Sequence, residues 1–268
     1  MFSQLVAAAV ANLQCATCDT ARRYAGFFLA ATFPYHAIRA AFDAADGPRI
    51  LTNLLRHMAS LGPSQSTTSK SVACQASHAL RTYLRAQFVA HVAALEAARA
   101  ARSERSGAAA AAAAAAVAAE VDAQTNATTT SASSEHGRAN GAAHVSSGGG
   151  GRSGSLSVDV SDRGMEATLK KLTGDKRLRV AFLTAPWPFM QLFVELDGLK
   201  VLLELAQAGP SERYFHDVAR YALEALFVIT VHPAAQRAVM AARCVAPLTP
   251  RLGASPVRPC DALRMWVC

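Results

Sequence analysis

The chain has no uninterrupted run of the ~18 to 20 apolar residues that a membrane-spanning helix needs, apart from an alanine tract too weakly apolar to count. No lysine or arginine precedes Leu5, so the apolar, Ala-rich start does not read as a secretory signal. Lysine is scarce: 5 Lys stand against 22 Arg, scattered along 268 residues. Part of the formal charge of +8 is therefore composition bias, and direct nucleic-acid binding is not expected. The densest basic stretch, Lys170, Lys171, Lys176, Arg177 and Arg179, reads as a solvated helix face, with an acidic partner or a nuclear import signal as the sharper alternatives.

Chemical motifs are also missing. Cys15-Ala-Thr-Cys18 has metal-ligand spacing, but no second Cys/His pair stands at a matching distance, and Cys74, Cys244, Cys260 and Cys268 are isolated. Small residues at helical spacing account for Cys15 and Cys18. None of the 8 histidines has the i, i+4 partner that would put two imidazoles on one helical face. Ser211, His216 and Asp217 make no triad, because adjacent helical residues point roughly 100° apart. The glycines at 148–151 followed by Arg152-Ser153-Gly154-Ser155 lack the lysine and the preceding strand of a phosphate loop. The expectations are no cofactor, no metal, no enzymatic activity, and a reducing nuclear or cytoplasmic compartment.

What the chain does have is a phrase said twice. Phe42, Asp46, Gly47, Arg49, Ile50, Leu51 and Leu54 recur at one offset as Phe193, Asp197, Gly198, Lys200, Val201, Leu202 and Leu205. A proline break precedes each copy, at Pro34 and Pro186, and a third break falls at Pro233. Helix, proline break, short helix, Asp-Gly, helix is the signature of an α-solenoid, whose units bury their apolar faces only by stacking. The fold class expected is all-α, an α-solenoid interrupted by a low-complexity insertion, and the Phe42 to Gly47 unit with its Leu51 to Leu54 helix resembles the armadillo repeat, which makes the array armadillo-like. Asp46-Gly47 and Asp197-Gly198 are the expected structural turns, with glycine supplying positive φ and Asp46 accepting from amides that open the next helix.

Periodicity predicts a helix from Gln4 to Phe33, a short one from Tyr35 to Ala45, and a third from Pro48 to Ser60. A long amphipathic helix follows from Val72 to about Arg102. Residues 103–164 carry nine consecutive alanines (Ala108 to Ala116), a Ser/Thr/Asn stretch and a glycine run, with almost no large apolar side chains to offset ordering entropy. The alanines can prolong the preceding helix, and the rest is expected to be disordered. Helices resume from Met165 to about Thr184, with Gly174-Asp175 as an interruption, and continue through Tyr214 to Val231 and Ala234 to Val245. The domain reading is 1–102 and 165–246 as two parts of one helical array, 103–164 as insertion, and 247–268 as a proline-containing irregular tail. Trp187, Tyr221 and Phe227 are assigned to the core.

Two further phrases narrow the match. They are His78-Ala79-Leu80-Arg81-Thr82-Tyr83-Leu84-Arg85-Ala86-Gln87-Phe88, and Asp217-Val218-Ala219-Arg220-Tyr221-Ala222-Leu223-Glu224-Ala225-Leu226 running on to His232-Pro233. With the Phe42 to Gly47 unit they resemble the armadillo-like region of the Vpr-binding-protein family, over residues 20–92 and 178–240. That family supplies substrate receptors of cullin-RING ubiquitin ligases, docked through the damaged-DNA-binding-protein adaptor. The resemblance implies a non-enzymatic scaffold that holds a protein partner or ubiquitination substrate, as a fragment or short form of such a receptor. The family's WD-repeat propeller has no counterpart here, since the chain contains no WD dipeptide, so adaptor binding is carried over to no residue.

In armadillo arrays the third helix of each unit lines the concave groove. Arg49, Asn53 and Arg56 in one unit, with Lys200, Glu204 and Gln207 in the other, are therefore the candidate partner-binding groove. The bland alternative is that they are ordinary solvated residues. A generic armadillo adaptor or import-type carrier would want repeated groove Trp/Asn pairs and an acidic groove, whereas this groove has one Asn and is basic.

Overall fold

The structure, a computed structural model, describes residues 2–15, 17–61, 66–127, 157–207 and 213–241, without side chains at 115–127, 207, 213–216 and 241. Helices α1 (Phe2–Gln14), α2 (Asp19–Thr32), α3 (His36–Ala44), α4 (Gly47–Ser60) and α5 (Thr67–Ala127) precede the gap. After it come α6 (Asp162–Gly174), α7 (Lys176–Thr184), α8 (Pro188–Glu195), α9 (Gly198–Gln207), α10 (Arg213–Thr230) and α11 (Pro233–Ala241). The fold is all-α and solenoid-like. Among the described residues the extended pairing is one isolated bridge, Tyr35 to Ser157. By contact, the described residues of Met1–Leu95 and Ser155–Cys268 form one compact unit and those of Glu96–Gly154 another.

The repeated phrase is a repeated structure, for a reason different from the expected one. Positive φ falls on the aspartates, Asp46 at 55° and Asp197 at 52°. Asp tolerates the left-handed region better than most side chains, which frees the glycine for another task. A Cβ on Gly47 would lie 2.3 Å from the Phe42 ring, and one on Gly198 would lie 2.4 Å from the Phe193 ring. The glycine therefore lets the aromatic five residues earlier pack under the opening turn of the next helix. Asp46 makes no side-chain cap bond to α4; its carboxylate meets Arg49 Nε at 3.2 Å.

The proline breaks are served just as specifically. At Pro34 the chain leaves carbonyls of the α2 end without helical donors, and buried Arg39 fills the vacancy. Its Nη1 donates to the Phe33 and Pro34 carbonyls, each at 2.8 Å. Phe33 and Phe42 pack edge-to-face on Tyr83 of α5 at 5.1 and 5.3 Å, and Phe189 of α8 reaches the same ring at 5.0 Å. The Tyr83 hydroxyl donates to Asp43, and burial holds that phenol in its protonated form. Residues from α2, α3 and α8, before and after the low-complexity stretch, thus meet on one tyrosine.

Several elements differ from the sequence reading. The expected Gln4–Phe33 helix is two helices, and Cys15 and Cys18 stand at their junction instead of at helical spacing within one. The interruption at Gly174-Asp175 falls where expected: Asp175 divides α6 from α7 by accepting from the amides of Arg177 and Leu178, at 2.9 and 3.1 Å. Helix α5 continues to Ala127, past the expected end near Arg102 and through the alanine tract that could prolong it, because alanine favours helix even where the side chains, as at Arg102 to Ala114, are exposed. At the other border of the insertion, residues 157–164 belong to the compact unit, with the Val158 amide donating to the Pro34 carbonyl at 2.9 Å. Residues 128–156 and the tail 247–268 lie outside the described residues. Trp187 is buried as expected, but Phe227 is 41% exposed and Tyr221 is half-buried against His78, so neither is a core residue.

Candidate functional site

The groove residues predicted from the repeat are gathered by the packing of α4 beside α9. Arg49, Asn53, Arg56, Lys200 and Glu204 are all exposed there, while the side chain of Gln207 lies outside the described residues. Arg56 has a structural duty: its Nη1 donates to Asn53 Oδ1 at 2.7 Å and its Nη2 to the carbonyl of Leu196, at the α8 C-cap. It is a strut between the two repeats. Arg49 is paired with Asp46, and the five exposed residues include one acid, Glu204, so the face is mixed but mainly basic.

A more strongly organised polar site lies elsewhere, on α5. Arg81 and Arg85 are four residues apart and so share one face of the helix. Glu224 of α10 accepts from Arg81 Nε and, at 3.0 Å, from Arg85 Nη2. Asp162, the first residue of α6, accepts from Arg85 Nη1 at 2.7 Å and stands 3.7 Å from Arg81 Nη2. The guanidinium of Arg85 beside it holds the Asp162 carboxyl below the usual carboxylate range. Tyr221 extends the cluster, stacked on His78 at 4.9 Å with Arg81 and Arg220 over its ring at 5.5 and 5.0 Å.

Beside this cluster opens a cleft of about 710 Å³, lined by His78, Arg81, Thr82 and Arg85 on one side and residues 157–162 on the other. The site combines paired charges with an aromatic wall. Among the described residues no group of three His, Cys, Asp or Glu could hold a metal ion, and no helix is long and apolar enough to cross a membrane. Sequence reasoning singled out both phrases that build this site without joining them. The signal available was Arg81 and Arg85 at i, i+4 among the apolar residues Leu80, Tyr83, Leu84 and Phe88, where a mostly buried arginine pair calls for an acidic partner from another element.

A second cluster surrounds buried Trp187. His91 stacks on its indole at 5.5 Å and 11°, and His232 approaches it edge-on at 6.1 Å, with Phe182 beside both histidines. The Nε2 atoms of His91 and His232 are buried without a hydrogen-bond partner. Burial lowers both imidazole pKa values, helped by His232 beside His91 and by Arg237 near His232. His78 is shifted the same way by burial and by Arg81.

The sign follows directly. Above the ordinary histidine pKa of 6.5 the folded and unfolded chains are both neutral at these sites, and stability is full. As pH falls below 6.5 the unfolded chain takes up protons first, so stability drops until the folded-state pKa values are passed. Asp43, its pKa raised by burial, contributes in the opposite direction. Melting followed by circular dichroism should give a lower Tm at pH 5.5 than at pH 7.5, and His91→Phe with His232→Phe should flatten that slope. An unchanged slope in the double variant would locate the acid sensitivity elsewhere.

The two phrases that build the Arg81/Arg85–Glu224 contact both fall inside one recognised domain: the family model for the DCAF1 helical domain matches residues 73–254. The chain belongs to the DCAF1 helical domain family. A curated relative, DDB1- and CUL4-associated factor homolog 1 of Arabidopsis thaliana, is 28% identical over 246 residues and covers 88% of this chain. The chain spans 11% of that relative's length. No solved structure matches. The first Asp-Gly unit, α3 and α4, precedes the matched region of the DCAF1 helical domain, and the second, α8 and α9, lies within it.

Proposed function

We propose that this chain is a non-enzymatic interaction scaffold of a CUL4–DDB1-type ubiquitin ligase receptor, holding a protein partner while other subunits carry out ubiquitin transfer. The observation that carries this reading is membership of the DCAF1 helical domain family, with a relative whose name associates it with DDB1 and CUL4. A stacked helical array with exposed polar third helices is suited to such positional work, and a nuclear or cytoplasmic setting is the one it requires. The partner face in this reading is the α4–α9 groove of Arg49, Asn53, Arg56, Lys200, Glu204 and Gln207. The adaptor is engaged by other parts of the receptor.

The test separates partner from adaptor. The purified chain should capture a receptor-specific protein partner from cells, identified by mass spectrometry, and should not hold the purified DDB1-type adaptor. Exposed charge pairs contribute about 0.2 to 1 kcal/mol each. Arg49→Glu with Lys200→Glu should therefore weaken the partner roughly two- to thirtyfold and reduce the salt dependence of binding. Arg56 is left intact because its loss would also uncap α8. Stable capture of the adaptor, or partner binding indifferent to both charge reversal and salt, would sink the proposal.

A further inference from the structure

We infer that the Arg81–Arg85 face of α5 is a docking site for an extended acidic peptide segment of a partner protein, and that residues 157–162 occupy it in cis as a displaceable strap. The strap itself is the template for the ligand. Ser157 forms an antiparallel bridge with Tyr35, and the Val158 amide donates to the Pro34 carbonyl at 2.9 Å. Two residues on, the Val160 carbonyl accepts from Arg85 at 3.4 Å, and the Asp162 carboxylate closes the run on Arg85 and Arg81. Backbone pairing for affinity, with a carboxylate read by an arginine pair for specificity, is a recurring way to recognise an extended acidic segment.

Three observations point to exchange in trans. The strap lies at the surface: the Asp162 side chain is 87% exposed, and Ser157, Asp159 and Ser161 are exposed as well. The cleft of about 710 Å³ between the strap and α5 leaves room for a longer segment than the one present. Arg85, 8% exposed and lining that cleft, has an Nε without a hydrogen-bond partner. A carboxylate gripping Arg85 side-on through Nε and Nη would use a donor that Asp162 leaves idle. Charge balance is kept, because Glu224 continues to neutralise the arginine pair from α10 while the incoming carboxylate replaces Asp162.

This inference deepens the scaffold reading by naming one surface and one partner class. Its test uses only the purified full chain and synthetic peptides, so it can fail while the ligase reading stands. The probe is a fluorescent peptide with the sequence of residues 157–164, compared with the same peptide carrying Asn for both Asp, and with a single-stranded oligonucleotide as control polyanion. Asp162→Asn removes the cis carboxylate, and Val158→Pro removes the amide that pins the strap; circular dichroism reports whether each is folded, and either alone suffices. A tethered competitor acts at an effective concentration in the millimolar range, so the acidic peptide should bind the released variants about tenfold or more tighter than wild type. The Asn peptide should bind at least about tenfold more weakly than the acidic one, and saturating acidic peptide should speed hydrogen exchange at the Val158 amide of wild type. Equal binding of both peptides, no gain on release of the strap, or tighter binding of the oligonucleotide would overturn it.

Discussion

Replacing Gly47 by alanine is expected to destabilise the fold by about 1 to 3 kcal/mol or more, although the same change at most helical glycines stabilises. Gly47 sits at the opening of α4 without positive φ, so backbone entropy alone would favour alanine by up to about 1 kcal/mol. The new methyl would stand 2.3 Å from Cδ2 and Cε2 of Phe42 and 2.6 Å from its Cγ. The ring cannot yield. Phe42 is fully buried, with Phe33 at 4.8 Å and Tyr83 at 5.3 Å edge-on against it. Phe42→Ala should cost about 3 to 5 kcal/mol by leaving a cavity. The decisive measurement is the double variant: with the ring gone the clash vanishes, so Gly47→Ala with Phe42→Ala should cost clearly less than the sum. Strict additivity in chemical denaturation would show that the glycine is needed for some other reason. Gly198 and Phe193 should repeat the cycle in the second unit.

Glu224→Met is expected to destabilise more than Arg85→Met, even though Glu224 is the more exposed of the two, with side chains 30% and 10% accessible. Without Glu224, Arg81 and Arg85 are left side by side, mostly buried, with solvent-exposed Asp162 as the remaining close carboxylate among the described residues. Removing one partner of a buried pair costs about 3 to 5 kcal/mol, and the partial exposure of Glu224 sets the lower end of that range here. Without Arg85, by contrast, Glu224 keeps Arg81 and has Arg220 at 3.9 Å, so the cost should be nearer 1 kcal/mol. Raising salt should soften the Glu224→Met defect by screening the two arginines. Equal losses for the two variants, or a larger loss for Arg85→Met, would contradict the shared-acid arrangement.

The helices around both sites are legible in the sequence. The spacing of Ile50, Leu51, Leu54, Leu55 and Met58 put an apolar stripe on one face, and α4 spans Gly47–Ser60 as that stripe required. Leu80, Tyr83, Leu84, Phe88, Val92 and Leu95 do the same for α5, and all but the half-buried Leu95 are buried. Boundaries were harder where the signal was weak. Nothing in the Ala-rich stretch before Cys15 marks the stop of α1, and polyalanine carries helix propensity without the apolar side chains that tell where packing ends. Phe227 and Tyr221 were misplaced for a related reason. A helix as apolar as α10 presents more greasy positions than one neighbour can cover, and composition does not say which are left over.

The sequence by itself determined the all-α class, the repeated unit with its proline breaks, and the family, because these rest on local periodicity and on phrases carried whole within single helices. Tertiary structure decided what each repeated turn is for and which residues meet. That Asp46 and Asp197 take the left-handed conformation while Gly47 and Gly198 make way for a phenylalanine ring depends on where the ring is pressed by its neighbours. That Arg85 finds Glu224, 139 residues away, depends on how α5, α6 and α10 stack. An apolar stripe specifies that a face must be covered, and several coverings satisfy it equally well; only the packed array selects one, and with it the charges that come together at its edge.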